Sequence, residues 1–239
     1  MSRTWALTVF LVQGLFGSLA GIVPLAAALA FGLIAFEYGM DQSQFVVVAG
    51  IGIGTICLLT TLLLEGRANR ASSYPLVARL HHRAELLGAV VLGSLCITTV
   101  LASLITLTNL LTHRLTLDWP SALWLVPTWL AFWLFVAALS LLLSPLTSRE
   151  GSHLVGYTLL VALLVASDRR AWLASHRQEW LVRVVTKILW PFSTLLSTAS
   201  AASHGQSYWI ALTLTLACAG VLFSLAATLF ETKDLLWAE

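Results

Sequence analysis

The sequence predicts an all-α polytopic membrane protein with about six transmembrane helices, an N-terminal interfacial helix and an amphipathic helix before the last span. Three observations carry this. Of 239 residues, 59% are hydrophobic and 10% charged, and the mean hydropathy is +0.89, far from that of a water-soluble domain. Long apolar runs alternate with short polar connections, as bilayer-spanning helices require. Between 168 and 190 the pattern changes to apolar residues at helical spacing opposed by charges.

Residues 1–18 have a polar start, Ser2-Arg3-Thr4, and an apolar continuation broken by Gln13. Apolar character runs on to Phe36 without a cleavage site, so an interfacial helix is preferred over a signal peptide. It leads through Gly14, Gly17 and Gly21 into a first span at about Leu19 to Tyr38, with Glu37 and Asp41 marking the far surface. A second span runs from about Gln44 to Leu64, where Gly50, Gly52 and Gly54 allow a close neighbour.

The polar island 65–85 follows, reading EGRANRASSYPLVARLHHRAE. Arg67, Arg70, Arg79 and Arg83 require it to lie in water or at a headgroup surface. Within it, a serine cap and Pro75 predict a short helix near Ser72 to Ala78. Further spans are predicted at about Leu86 to Leu111, Ser121 to Leu143, Ser152 to Ala166 and Tyr208 to Phe230, the fifth shorter than the usual ~20 residues. Trp119, Trp124, Trp129 and Trp133 read as interface and packing residues.

The segment 168–206 combines an outer amphipathic helix with a re-entrant-like stretch after Pro191, and 231–239 is a tail. In the helix, Trp172, Trp180, Val184 and Ile188 oppose Arg170, Arg177, Arg183 and Lys187. Placing the N terminus inside puts Arg3, Arg149, Lys233 and the island's arginines on the inner side. Arg114 and the amphipathic helix fall outside.

Several chemistries have no counterpart in these residues. A net charge of +2 with scattered basic positions gives no footprint for nucleic acid. Cys57, Cys96 and Cys218 each fall inside an apolar run and read as small buried hydrophobes. His81-His82 has no Cys, Asp or Glu set at metal-ligand spacing, and Ser152-His153 has no nucleophile elbow around it. No Gly-x-x-x-x-Gly-Lys-(Ser/Thr) occurs, so nucleotide phosphates have no cradle of the usual kind.

Three segments carry a family resemblance. Glu65-Gly66-Arg67 through Tyr74-Pro75-Leu76, then Arg79 through Gly88, resembles the first cytoplasmic loop of type-2 ABC transporter permeases, where a short coupling helix precedes an Arg-Pro-x-x-Arg-x-(Asp/Glu/Tyr)-Leu-x-Gly-like run. Residues 189–195, LWPFSTL, are similar to that family's Ser-Pro segment before the last span, and 230–235, FETKDL, to its Phe-Arg-Arg-Arg-Asp-Leu ending. Leu80 stands where the family often has proline, and Glu231-Thr232 replaces two basic residues.

The resemblance implies a permease subunit, an exporter, in a bacterial inner (cytoplasmic) membrane, working as a homodimer or with a paralogue. It implies no catalytic residue, cofactor or metal in this chain; ATP and Mg belong to a separate ATP-binding ABC subunit. Coupling to that subunit falls on Arg70, Ser72, Tyr74, Leu76, Val77, Arg79, Arg83 and Glu85. The aliphatic, Thr and Trp residues of the spans suggest an amphipathic, lipid-like or peptide cargo over a small ion. Two alternatives stand beside this: a non-transporting assembly subunit, and a polytopic membrane enzyme. An enzyme needs ionisable residues converging inside the spans, whereas the predicted spans are filled with aliphatics, Gly, Ser and Thr, with Glu37 only at an edge.

Overall fold

A computed structural model describes residues 3–38, 42–69, 80, 82–112, 119–144, 147, 156–158, 160–161, 187, 189–201 and 205–232. All regular structure among them is helical: α1 (Arg3–Phe16), α2 (Ile22–Tyr38), α3 (Gln42–Ala68), α4 (Ala84–Leu111), α5 (Trp119–Leu142), α6 (Phe192–Ser200) and α7 (Gln206–Thr232). Among the described residues four helices are long and apolar enough to cross a membrane, at 44–68, 84–111, 123–142 and 206–232. Counting 3–16 with 19–34 as one broken span gives five. At 1.5 Å rise per residue α3, α4 and α7 are each roughly 40 Å long, more than a hydrocarbon core of about 30 Å demands. The predicted amphipathic helix at 168–190 lies almost wholly outside the described residues, as does most of the predicted fifth span.

The packing of α3 on α5 fixes the frame. Trp129 Nε1 donates to the Val46 carbonyl and Trp133 Nε1 to the Gly50 carbonyl, each at 3.0 Å. Both donors and both acceptors are four residues apart, one helical turn, so the two helices run parallel and in register. The indole rings are stacked with centroids 5.6 Å apart, and Trp133 is only 2% exposed. Gly50 makes this approach possible: a Cβ there would lie 3.0 Å from Trp129 Nε1 and 3.2 Å from Leu196 Cδ2.

Helix α4 packs beside them, antiparallel to α3. Thr61 Oγ1 and Ser94 Oγ lie 2.7 Å apart, and the Ser94 hydroxyl also lies 3.1 Å from the Cys57 carbonyl. Polar atoms of α3 and α4 thus satisfy one another within an apolar layer. Tyr208, near the start of α7, shares a hydrogen bond of 3.0 Å with Thr128 of α5, while α7 ends beside Arg83 at the start of α4. Helices α5 and α7 therefore run the same way, and the chain must return between 144 and 205. Part of that return is α6, whose Phe192 stacks on Phe135 with centroids 3.9 Å apart.

At the N terminus, α1 buries Leu7, Thr8, Leu11 and Leu15 along α4 and α3, the Thr8 hydroxyl reaching the Ala89 carbonyl at 3.3 Å. Its other face leaves Trp5 and Phe10 exposed. A 93° bend separates α1 from the following helical stretch, so residues 19–21, predicted to begin the first span, form a 3-10 turn instead. One further expectation changes. Cys57 is buried and Cys218 half-buried, but Cys96 is exposed, because it lies on the outward face of α4. Gly52 meets the ring of Phe31, and Gly54 that of Phe132; the glycines of α3 receive aromatic side chains.

Toward its C-terminal half α4 separates from its neighbours. A groove of about 320 Å³ lies between it and α5, and one of about 500 Å³ between it and α2.

Candidate functional site

Three chain segments meet at one end of the bundle: the end of α3, the start of α4 and the end of α7. These are the borders of the island 65–85 and of the tail. Of the residues assigned to coupling, Arg70, Ser72, Tyr74, Leu76, Val77 and Arg79 lie outside the described residues. Arg83 and Glu85 are described, and they do not act alike.

Arg83 immediately precedes α4 and reaches across to α7, donating from Nη1 to the Phe230 carbonyl at 3.2 Å. That carbonyl is among the last of α7, at the end where the helix dipole favours a cation. The guanidinium also sits 6.0 Å from the centroid of the Phe230 ring, within cation–π range. Phe230 itself is buried. Glu85 occupies the first turn of α4, where its charge suits the helix N-terminus, and its Oε2 is buried with no hydrogen-bond partner among the described residues.

Helix α3 continues past the apolar run through Ala68. Arg67, in its last turn, donates from Nη1 to Ser18 Oγ at 2.8 Å, and Ser18 Oγ donates in turn to the Leu15 carbonyl at 2.8 Å. The end of α3 thereby ties down the bend between α1 and α2. A Cβ on Gly14 would lie 2.8 Å from Arg67 Nε, so a larger residue there would make the guanidinium shift.

Glu65 corrects the sequence reading. Expected in water at the head of the polar island, it is 2% exposed. It follows Cys57 and Thr61 at four-residue intervals, on the stripe of α3 that faces the bundle. Ser140 Oγ donates to its Oε1 at 3.3 Å, and its Oε2 has no partner among the described residues. A buried carboxyl with one oxygen unpaired among the described residues is costly to place between helices. Among the described residues no group of three or more His, Cys, Asp and Glu side chains gathers at metal-binding distance.

These features define a helical membrane protein in which Arg67, Arg83, Glu65 and Glu85 lie at the ends of its helices that border the island 65–85 and the tail. Comparison with protein-family models, with curated proteins and with solved structures finds no match.

Proposed function

We propose that this chain is the membrane-spanning permease subunit of an ABC transporter, an exporter of a bacterial inner membrane, that couples ATP hydrolysis by a separate ATPase subunit to movement of substrate. In this reading there are six spans, with α2 as the first and 152–166 supplying the fifth. Gly156 and the buried Leu160 in that stretch favour it, since a Cβ on Gly156 would lie 2.6 Å from Leu58 Cδ1 of α3. The chain carries no catalytic residue; ATP and Mg are bound by the partner, and a second permease copy or paralogue completes the translocation path.

The observation that carries the reading is the Arg83–Phe230 contact. It joins the loop that resembles a coupling loop to the tail segment that resembles the family's ending, at one end of the bundle. A push on the loop is then passed to both α4 and α7, the kind of rigid-element linkage that lets a docked ATPase change which side of the membrane an interface faces.

The test is Tyr74→Ala combined with Val77→Asp. A carboxylate forced unpaired into an apolar groove costs several kcal/mol, enough to weaken ATPase binding by orders of magnitude. Loss of ATPase pull-down and of transport-linked hydrolysis at normal membrane abundance is the expected result; normal binding and turnover would remove the loop from the mechanism.

A further inference from the structure

Glu65 stands in the last turn of α3, 2% exposed, with the fully buried Ser140 of α5 against it. The contacts suit a neutral acid. Ser140 Oγ lies 3.3 Å from Oε1, whereas a hydroxyl donating to an ionised carboxylate closes to about 2.5–2.7 Å. Oε2 is buried and has no partner among the described residues. One turn back, Thr61 turns its hydroxyl onto the Cys57 carbonyl at 2.8 Å, so it gives the carboxyl no donor.

Among the described residues, the helices packed on α3 bring Glu65 no counter-ion. Arg67 lies in the same turn, but residues two apart point roughly 200° from each other, and its Nη1 donates to Ser18. Arg3 begins α1, Glu37 and Tyr38 end α2, and α5 and α6 carry no charged side chain. Beside α4, Arg83 donates to the Phe230 carbonyl, His82 is exposed, and Glu85 is itself an acid in the first turn. Cys57 is buried two turns back on the stripe of Glu65, Cys96 faces outward from α4, and Tyr157 follows the Gly156 that meets Leu58. None of these described side chains bonds to the carboxyl. An ionised Glu65 would be a buried charge without a partner, which the fold avoids either by keeping a proton on it or by turning it out to water. Turning it out means rotating or unwinding the last turn of α3, and Arg67 rides on that turn. The Arg67–Ser18 bond, which ties down the bend between α1 and α2, would part in the same movement.

We propose that Glu65 is a proton-binding site that latches the end of α3: protonated, it stays packed against Ser140 and keeps Arg67 on Ser18; ionised, it swings out and releases both. The latch needs no ATPase partner. The closed turn holds one more proton than the open one, so raising the pH favours opening, by up to about tenfold per pH unit. The experiment uses the full chain in phosphatidylcholine nanodiscs, read by infrared spectroscopy and by amide exchange corrected for the pH dependence of intrinsic exchange. At neutral pH the natural protein should show a protonated-carboxyl C=O band that Glu65→Gln lacks and Glu85→Gln keeps. As the pH is raised through the alkaline range, protection of 14–21 should fall together with the band; in Glu65→Gln, which cannot ionise, it should stay level. Arg67→Ala should lose that protection at every pH and keep the band. Absence of a protonated-carboxyl band from the natural protein at neutral pH would overturn the proposal without recourse to any variant. So would a band that Glu65→Gln retains, or protection of 14–21 that stays level with pH in the natural protein.

Discussion

Replacing Gly50 by alanine tests the α3–α5 joint directly. The new Cβ would stand 3.0 Å from Trp129 Nε1 and 3.2 Å from both Trp129 Cδ1 and Leu196 Cδ2, tighter than ordinary contact on two sides. Leu196 is itself buried. The Trp129 ring has little room to yield: it is stacked on Trp133 and held by its bond to Val46. Overpacking of this kind costs roughly 1–3 kcal/mol, and the helix preference of alanine over glycine returns roughly 1 kcal/mol. The net expectation is destabilisation by about 1 kcal/mol. Gly220→Ala is the control, because nothing lies within 4 Å of its Cβ position; it should stabilise by up to about 1 kcal/mol. The gap of roughly 2 kcal/mol is close to thirtyfold in the folded-to-unfolded ratio. It should be readable by reversible unfolding in mixed detergent–SDS micelles followed by tryptophan emission. If Gly50→Ala proves as stable as Gly220→Ala, the close approach of α5 to α3 does not exist in the folded protein.

Three further outcomes are expected at the polar end. Arg67→Ala removes the donor to Ser18, worth about 1.5–3 kcal/mol for a charged bond, so amide exchange across 14–21 should accelerate; unchanged exchange would mean that packing alone holds the bend. Glu65→Gln keeps an acceptor for the Ser140 hydroxyl and should stay within about 1 kcal/mol of the natural protein, whereas Glu65→Ala leaves a cavity and an orphaned hydroxyl costing about 2–4 kcal/mol. Equal stability of those two variants in the same micelle assay would remove the Ser140 contact from the account. Arg83→Leu should loosen the end of α7 by about 1–2 kcal/mol and raise the initial rate of tryptic cleavage at Lys233; a rate equal to the natural protein's would count against the Arg83–Phe230 link.

Hydropathy alone located four helices long and apolar enough to cross a membrane, because burial in lipid demands a continuous apolar run and the runs at 44–64, 86–111, 121–143 and 208–230 coincide with α3, α4, α5 and α7. It misread Glu65, since a window ends at the first charge while a helix does not. The signal that was present is periodic: Cys57, Thr61 and Glu65 fall four apart, on one face. The glycines of α3 announced a close neighbour, yet which rings would meet them depends on α2 and α5, whose register no local pattern encodes. Likewise Trp129 and Trp133 were recognisable as packing residues, but an indole's acceptor carbonyl is a fact about another helix. The Arg83–Phe230 contact joins residues 147 apart in the chain, and a reading by segments has no means of pairing them. The coupling residues 70–79 lie outside the described residues, so the part of the site most sharply drawn from sequence is tested by mutation and binding.

The two indole bonds carry a mechanical consequence. Because their acceptors are one turn apart on the same helix, sliding α5 along α3 or rolling one against the other would stretch both bonds together. The pair therefore behaves as a single stiff beam, with α6 wedged against it through Leu196 and Phe192. Any large rearrangement of the bundle must then be taken up elsewhere. The compliant members are the far half of α4, which has an open groove on either side, and α2 beyond the 93° bend. Strain entering through Arg67, at the end of α3, would travel along the beam and be released where the packing is thinnest, at the opposite end of the bundle.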